Sequence, residues 1–355
     1  MNTKFTYNDY FKRQMQLLGN EKQLKLKNSK ILIIGAGGLG VNVSHQLANN
    51  GIGTLGIMDG DTISLSNLHR QKNYLISDID KNKTTTLINS ISRNNPFVKI
   101  IDYPFYLTEN TDTSLFNNYD IIVDCTDDHE TKFLINDICV HYNKTLVFGA
   151  IQKKEGQVSV LNFNNGPTLR CTFPKNTHQT NISCEELGTM DIITSTVASK
   201  QVVECVNLIA FNKTTLSGKL LHIDVMNHQT SIFKIIKKKI TQKFNPFKFS
   251  NESKFISLKD FSSALNSSEY EFIDLRNKGE IPKIHHLNLK NIKLQDLKDE
   301  FQNTKTNKKL IVFCQTGKRS LSAIKILNQL GFTNALHLVG GVKSYKKIIY
   351  EKKFH

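Results

Sequence analysis

The side chains able to do chemistry fall into two sets, far apart in the chain. The first opens in "KILIIGAGGLG", residues 30–40, where Ile31 to Ile34 run into Gly35, Gly37, Gly38 and Gly40. Glycines let a backbone approach an anion, and a helix that follows offers unpaired N–H groups and the positive end of its dipole. Asp59 ends the next apolar run, "TLGIMD". It stands about 20 residues on, where a carboxylate can hold a ribose hydroxyl pair. So far this describes an NAD-dependent dehydrogenase as well as any other nucleotide site. The stretch "DGDTISLSNLHRQ", residues 59–71, points elsewhere. Arg70 and Lys83 supply cationic donors for phosphate oxygens and Asn67 an uncharged one, which hydride transfer does not need and a triphosphate does. "DCTDD" then places Asp124, Asp127 and Asp128 at the end of a later apolar strand. Carboxylates facing a basic phosphate pocket make sense if Mg²⁺ bridges them.

The second set is "LIVFCQTGKRS", residues 310–320. Cys314 starts a loop whose N–H groups can converge on an anion attached to its sulfur. A helix beginning near Ser320, with Arg319 beside it, favours the thiolate.

Positioning these groups requires two α/β units. From residue 30 to about 150, "KILII", "TLGIMD", "VKIIDYPF", "YDIIVDCTD" and "TLVFGAI" alternate with helical stretches, which predicts a parallel sheet with crossover helices. "GQVSVLNF" and "LLHIDVM … TSIFKII" read as antiparallel hairpins, and "GTMDIITSTVASKQVVECVNLIAF" between them as a long buried helix. Residues 1–29 read as one leading helix carrying Arg13. "KKKITQKFNPFKFSNESKF" is lysine-dense and broken by Pro246, as expected of a linker. A second strand–helix pattern follows. The expected division is a Rossmann-like domain with a mostly parallel sheet over residues 1–238, a linker over 239–254, and a small α/β domain over 255–355.

Taken in order, "RQ" at 13–14, "GAGGLG", "DGDTISLSNLHRQ", Lys83 and "DCTD" resemble the MoeB/ThiF/HesA family, related to the ubiquitin-activating enzymes. That resemblance covers residues 1 to about 238 and implies ATP and Mg²⁺ rather than NAD. It implies adenylation of the C-terminal glycine of a ubiquitin-like sulfur-carrier protein, with release of pyrophosphate. It assigns ATP contacts to Gly35, Gly37, Gly38, Gly40, Asp59, Asp61, the loop Ser66, Asn67, Leu68, His69 and Arg70, and to Lys83. Asp127 resembles the Mg²⁺-associated aspartate, with Asp128 beside it. Arg13 resembles an arginine that reaches ATP across a homodimer interface. Cys184, in "NISCEELGTM", stands where the family carries a cysteine ahead of its long helix. It is either a thiol that captures the activated acyl group or takes part in sulfur exchange, or a small buried hydrophobe. Many relatives hold zinc through two C-x-x-C pairs. Here "RCTFP" keeps Cys171 but has Pro174 at the second position, so no structural zinc is expected.

The second unit resembles a single rhodanese module, through "FIDLR", "CQTGKRS", "LNQLGF" and "LVGGVKSY". Cys314 to Arg319 makes a six-residue loop, as in rhodanese sulfurtransferases, whereas related phosphatases use seven. "GEIPKIHHLNL" departs from that family's "GHIPGA" segment. The resemblance implies a persulfide on Cys314, loaded by a cysteine desulfurase or another sulfane-sulfur donor, that supplies sulfur for a thiocarboxylate on the carrier. Such fusions resemble enzymes serving molybdopterin biosynthesis and also tRNA thiolation, so the small subunit of molybdopterin synthase is the expected carrier. The thiamine-pathway carrier is the alternative, and a non-catalytic module binding ubiquitin-like proteins is the reading from another class.

Bulk properties bound these expectations. The 355 residues carry 47 Lys+Arg against 31 Asp+Glu, a formal net charge of +16. With no arginine-rich helix or aromatic-interleaved basic motif, the lysines read as solvated faces, compatible with an acidic protein partner, and neither nucleic acid nor membrane is expected. The six cysteines lack paired spacing, and no run reaches the roughly 20 apolar residues of a membrane span. A cytoplasmic location is expected.

Overall fold

The computed structural model describes residues 5–108, 111–173, 188–238, 255–256, 258–277, 280, 283–302, 304, 306, 308–315, 317–338 and 341–342. The expected linker, Pro174 and Cys184 lie outside these residues. The chain divides into two compact units, Met1–Pro246 and Phe247–His355.

Among the described residues of the first unit, eight strands form one sheet: β1 Lys30–Ile34, β2 Thr54–Met58, β3 Lys99–Tyr103, β4 Ile121–Asp124, β5 Thr145–Gln152, β6 Glu155–Leu161, β7 Lys219–Asp224 and β8 Gln229–Lys234. Their order is β3-β2-β1-β4-β5-β6-β7-β8. Pairing is parallel from β3 through β5 and antiparallel from β5 to β8. The helices are α1 Tyr7–Tyr10, α2 Lys12–Leu18, α3 Asn20–Asn28, α4 Gly38–Asn49, α5 Lys83–Asn94, α6 His129–His141, α7 Leu169–Thr172 and α8 Asp191–Phe211.

The continuous apolar run of β1 follows from burial on both faces. Ile31 and Ile33 enter one core with Leu39, Val43 and Leu47 of α4, Leu87 of α5 and Val197 of α8. Leu32 and Ile34 enter the other with Ile135 and Ile138 of α6. From β1 the chain passes through α4 to β2 and β3 on one side, then crosses back to β4 on the other. The crevice at the carboxyl ends of β1 and β4 is the topological switch point of such folds.

One expectation needs correcting. The leading helix is three short ones. Phe11 separates α1 from α2, and Gly19, at φ +82°, adopts a backbone open to glycine between α2 and α3.

In the second unit β9 Phe255–Ile256, β10 Tyr270–Asp274, β11 Leu289–Asn291, β12 Lys309–Phe313 and β13 Leu336–Leu338 form a sheet of order β11-β10-β12-β13-β9, parallel throughout. Its helices are α9 Leu258–Ala264, α10 Leu297–Gln302 and α11 Lys318–Gln329. Central β12 repeats the logic of β1, with Leu310 and Val312 on one core and Ile311 and Phe313 on the other. Residues one step past β12 are thereby held at the carboxyl edge.

Candidate functional sites

The glycine turn is shaped by contact. Gly35 has φ +100°, and a Cβ there would stand 2.7 Å from the Cys125 carbonyl oxygen. A Cβ on Gly40 would lie 1.8 Å from the Gly35 oxygen, so only glycine lets α4 rise this close to the turn. Gly37 is different. Its missing Cβ would meet only Gln71 Nε2, at 3.9 Å, which leaves an open face at the N-terminus of α4. Anions are stabilised at such an end.

The structure ties several of the predicted residues to the segments around this face. Asp59 accepts the Ala36 N–H and the Asp61 N–H, each at 2.7 Å, so its carboxylate is locked to the turn. The aliphatic stem of Arg70 lies over Gly38, its Cδ 3.7 Å from where a Cβ would be, and its guanidinium donates to Ser66 O at 2.8 Å. A second contact joins it to His69 Nε2 at 2.9 Å. Ser66 and His69 are exposed and Leu68 is half-buried, whereas Asn67 is buried. Asn67 Oδ1 accepts the Ser64 N–H at 3.3 Å, and Asn67 O accepts from Arg70 and Gln71, so this residue shapes the loop that presents Arg70. Lys83 is buried at the start of α5 and pairs with Asp61 at 3.1 Å. Asp61 also accepts from the Tyr106 hydroxyl.

Tyr74 gives these segments a common anchor. Its hydroxyl lies 3.1 Å from both Ala36 O and Lys83 O. Burial raises its pKa well above the usual value, helped by Asp59 and Asp61, which keeps it a neutral donor. Neither Tyr74 nor Tyr106 belongs to the predicted set; nothing in their local sequence sets them apart from core tyrosines.

At the end of β4 the three aspartates have different environments. Asp124 is fully buried, paired with Lys132 of α6 at 3.1 Å and accepting from Thr126 N and Oγ1. Lys132 also donates to Gly149 O at 2.7 Å and lies over the Phe148 ring. Asp128 is the N-cap of α6, accepting from Thr131 N and Oγ1 at 2.8 and 2.6 Å. Asp127 stands between these two fixed residues, exposed and without a hydrogen bond or ion pair to the described residues. Among the described residues no group of three or more His, Cys, Asp or Glu is arranged to hold a metal. Arg13 is exposed on α2, likewise without such a partner.

The remaining cysteines of this unit divide by environment. Cys125 and Cys139 are buried, and burial pushes their thiols well up, with Asp124 adding to it. Burial opposes ionisation of Cys171 too, but the N–H groups of Lys238 and Thr168 outweigh it, so its pKa is lowered.

In the second unit Cys314 directly follows β12 and is fully buried. Its sulfur accepts the Gly317 N–H at 3.1 Å and lies 3.8 Å from Ser320 Oγ. Gly317 is left-handed at φ +93° and caps α11, so the loop turns its N–H back on the sulfur while the helix dipole points the same way. Val342 N–H holds the Cys314 carbonyl at 2.9 Å. Arg319 spends its donors on Leu275 O, at 2.9 Å, and on both oxygens of Glu280, at 3.0 and 2.9 Å. Behind the loop, buried Arg276 forks onto Asp274 at 2.9 and 2.8 Å and stacks over Phe313. Glu280 also falls outside the predicted set, in a stretch where the familiar motif is degraded.

A mostly parallel sheet with a glycine turn at its switch point is joined in one chain to a unit whose parallel sheet leads into a cradled cysteine, a two-domain α/β class. A family model described as the ThiF family matches residues 11–243, and one described as the Rhodanese-like domain matches residues 257–348. The chain therefore belongs to the ThiF family and carries a C-terminal rhodanese-like domain.

It is 41% identical over 212 residues to the adenylyltransferase and sulfurtransferase MOCS3 of Dictyostelium discoideum, an alignment covering 59% of this chain and 50% of that protein. Against that relative and the MOCS3 of Aedes aegypti, the chain spans about half their length. Similarity to the probable molybdopterin-synthase adenylyltransferase of Pyropia yezoensis runs almost end to end, 33% identical over 369 residues, covering 98% and 96% of the two chains. Among solved structures, E. coli MccB with ATP superposes with a TM-score of 0.56 at 21% identity, over 66% of this chain and 73% of that one, which establishes likeness of fold.

Proposed function

We propose that the chain adenylates the C-terminal glycine of a ubiquitin-like sulfur-carrier protein and then supplies sulfur toward its thiocarboxylate from a persulfide on Cys314. The carrier's carboxylate, already ionised at neutral pH, attacks the α-phosphorus of ATP; the bond to the β-phosphate oxygen breaks and pyrophosphate leaves. Attack of one anion on another needs cations and held geometry more than a base. The turn at Gly35, Gly37, Gly38 and Gly40, Asp59 and Asp61, the loop from Ser66 to Arg70, and Lys83 are the residues assigned to ATP. Asp127 is assigned to Mg²⁺, which would offset phosphate charge. An exposed carboxylate without a partner among the described residues would suit a hard, oxygen-seeking cation. Asp128 is kept as a neighbour whose charge adds to that site.

One observation carries the reading. Arg70, Lys83 and Asp59 are tied to the loops at the switch point beside the open face over Gly37, which supports a phosphate-binding role, while a cradled cysteine stands in a separate unit. Arg13 is assigned to the partner's nucleotide across a homodimer interface, and Cys184 to acyl capture or sulfur exchange. A cysteine desulfurase or similar sulfane-sulfur donor loads Cys314, with Arg319 completing the loop. The boundaries proposed are 1–238, 239–254 and 255–355, and the location is cytoplasmic. The near-complete alignment with a protein named for molybdopterin synthase favours that enzyme's small subunit as the carrier, with the thiamine-pathway carrier as the second candidate.

Carrier-dependent ATP–pyrophosphate exchange, run with each carrier, tests this reading. Exchange stimulated by one carrier and dependent on its terminal glycine is expected. ATP-independent binding of carriers without exchange would replace the enzyme by a binding module.

A further inference from the structure

The cation that closes the sulfur loop is already engaged. Arg319 Nη2 contacts both carboxylate oxygens of Glu280, and that carboxylate is itself fixed by the Asn277 N–H at 2.9 Å. The pair is only partly exposed, with side chains 35% and 24% accessible, so solvent does not separate it. It also sits on the rim of the cysteine site. Leu275, whose carbonyl takes the other end of the guanidinium, donates its own N–H to Phe313 O, one residue before Cys314. What reaches the sulfur from the described residues is neutral: the Gly317 N–H and the Ser320 hydroxyl.

We propose that Glu280 sets the charge selectivity of Cys314, holding Arg319 back from incoming anions so that a singly charged sulfane donor is handled in preference to a dianion. This rests on the reading of Cys314 as a sulfur carrier. In the loading step the Cys314 thiolate attacks the outer sulfur of the donor. A Cys314 S–S bond forms, the donor's S–S bond breaks, and its electron pair leaves with the departing group. From an ionised alkyl persulfide the departing group is a thiolate that takes a proton. From thiosulfate it is sulfite, so three negative charges gather at the transition state. A free guanidinium contributes most to that second case, through hydrogen bonds to a charged partner. Clamped by Glu280, it contributes least where it would matter most.

The test is a double-substitution cycle on the full chain. Thiosulfate, a dianion, and an alkyl persulfide, a monoanion when ionised, serve as donors and cyanide as acceptor, with thiocyanate measured. Glu280→Gln keeps the shape and one acceptor for Arg319 while removing the opposing charge, and Leu275 O keeps the guanidinium at the rim. It is expected to raise kcat/KM for thiosulfate about tenfold and to move the persulfide reaction much less. Arg319→Gln alone should lower turnover with both donors, and in that background Glu280→Gln should no longer raise the thiosulfate rate. If Glu280→Gln lowers turnover with both donors equally, the pair only holds the loop and the proposal is overturned. Cys314→Ala, run alongside, tests the underlying reading separately: persistence of turnover there would remove the sulfur-carrier assignment itself.

Discussion

The two units answer the same geometric problem with different residues one step past a central parallel strand. Gly35 follows β1 and Cys314 follows β12; each opens a short loop that feeds a twelve-residue helix, α4 or α11. In the first loop side chains are excluded, because backbone atoms stand where Cβ atoms would go. The helix end is thus left bare for a ligand's charge, and cations arrive from other segments. In the second, the nucleophile is built into the loop and the backbone folds around it, so that one N–H reaches its sulfur. The comparison teaches that a strand–loop–helix turn sets where an anion is held. Under the proposed function, the first loop residue decides whether that anion is brought by a ligand or carried by the protein.

Removing the feature that separates the loops should have the largest effect. Gly40→Ala would put a methyl 1.8 Å from the Gly35 carbonyl oxygen. It should destabilise the first unit by more than about 3 kcal/mol, read as an early thermal transition, since neither backbone can give way. Cys314→Ala, the matching change in the other loop, removes one sulfur from a buried site and should leave folding nearly intact.

Next in size is the loss of the exposed carboxylate. Asp127→Ala should lower carrier-dependent pyrophosphate exchange at least about 100-fold, as expected for a group that offsets transition-state charge. Its melting temperature should stay that of wild type, because Asp127 has no partner among the described residues. Asp124→Ala should reverse the pattern. It leaves Lys132 buried without its counter-ion, so stability should fall by about 3 kcal/mol or more.

An effect absent at neutral pH is common to both units. Burial lowers the pKa of His45 in the first unit and of His337 in the second to about 4. Each unfolded imidazole takes its proton near pH 6.5 while the folded one stays neutral. Stability is therefore full above pH 6.5 and is lost as pH falls toward 4. His337, 7% exposed and with its Nδ1 unpartnered among the described residues, should account for up to about 3 kcal/mol of that loss. Urea midpoints of His337→Gln against wild type, at pH 7.5 and 5, should show a shallower acid slope in the variant.

Much of this was legible in the sequence where the signal is local. The alternation of strands and helices, the glycine turn and the cysteine loop are each written in a few consecutive residues, and each stands where its pattern placed it. The order of β1, β2 and β4 turned that local pattern into a switch point. What could not be read were the contacts between segments. Tyr106 reaches Asp61 across 45 positions, Lys132 neutralises Asp124 beneath the metal candidate, and Glu280 intercepts Arg319 across 39. A tyrosine, a lysine and a glutamate have no spacing signature, because their partners are chosen by the crossing of chains at a sheet edge. The three short leading helices were missed for a different reason: Gly19 permits a break that helical periodicity does not reveal.

The central claim is that two separable chemistries are housed in the two units. The most direct measurement follows pyrophosphate exchange and carrier mass together, with the persulfide donor, in wild type, Cys314→Ala and Asp127→Ala. The account predicts that Cys314→Ala keeps wild-type exchange and forms no thiocarboxylate, while Asp127→Ala loses both, since no activated carrier is made for sulfur to reach. Thiocarboxylate at the wild-type rate from Cys314→Ala, or loss of exchange in that variant, would contradict it.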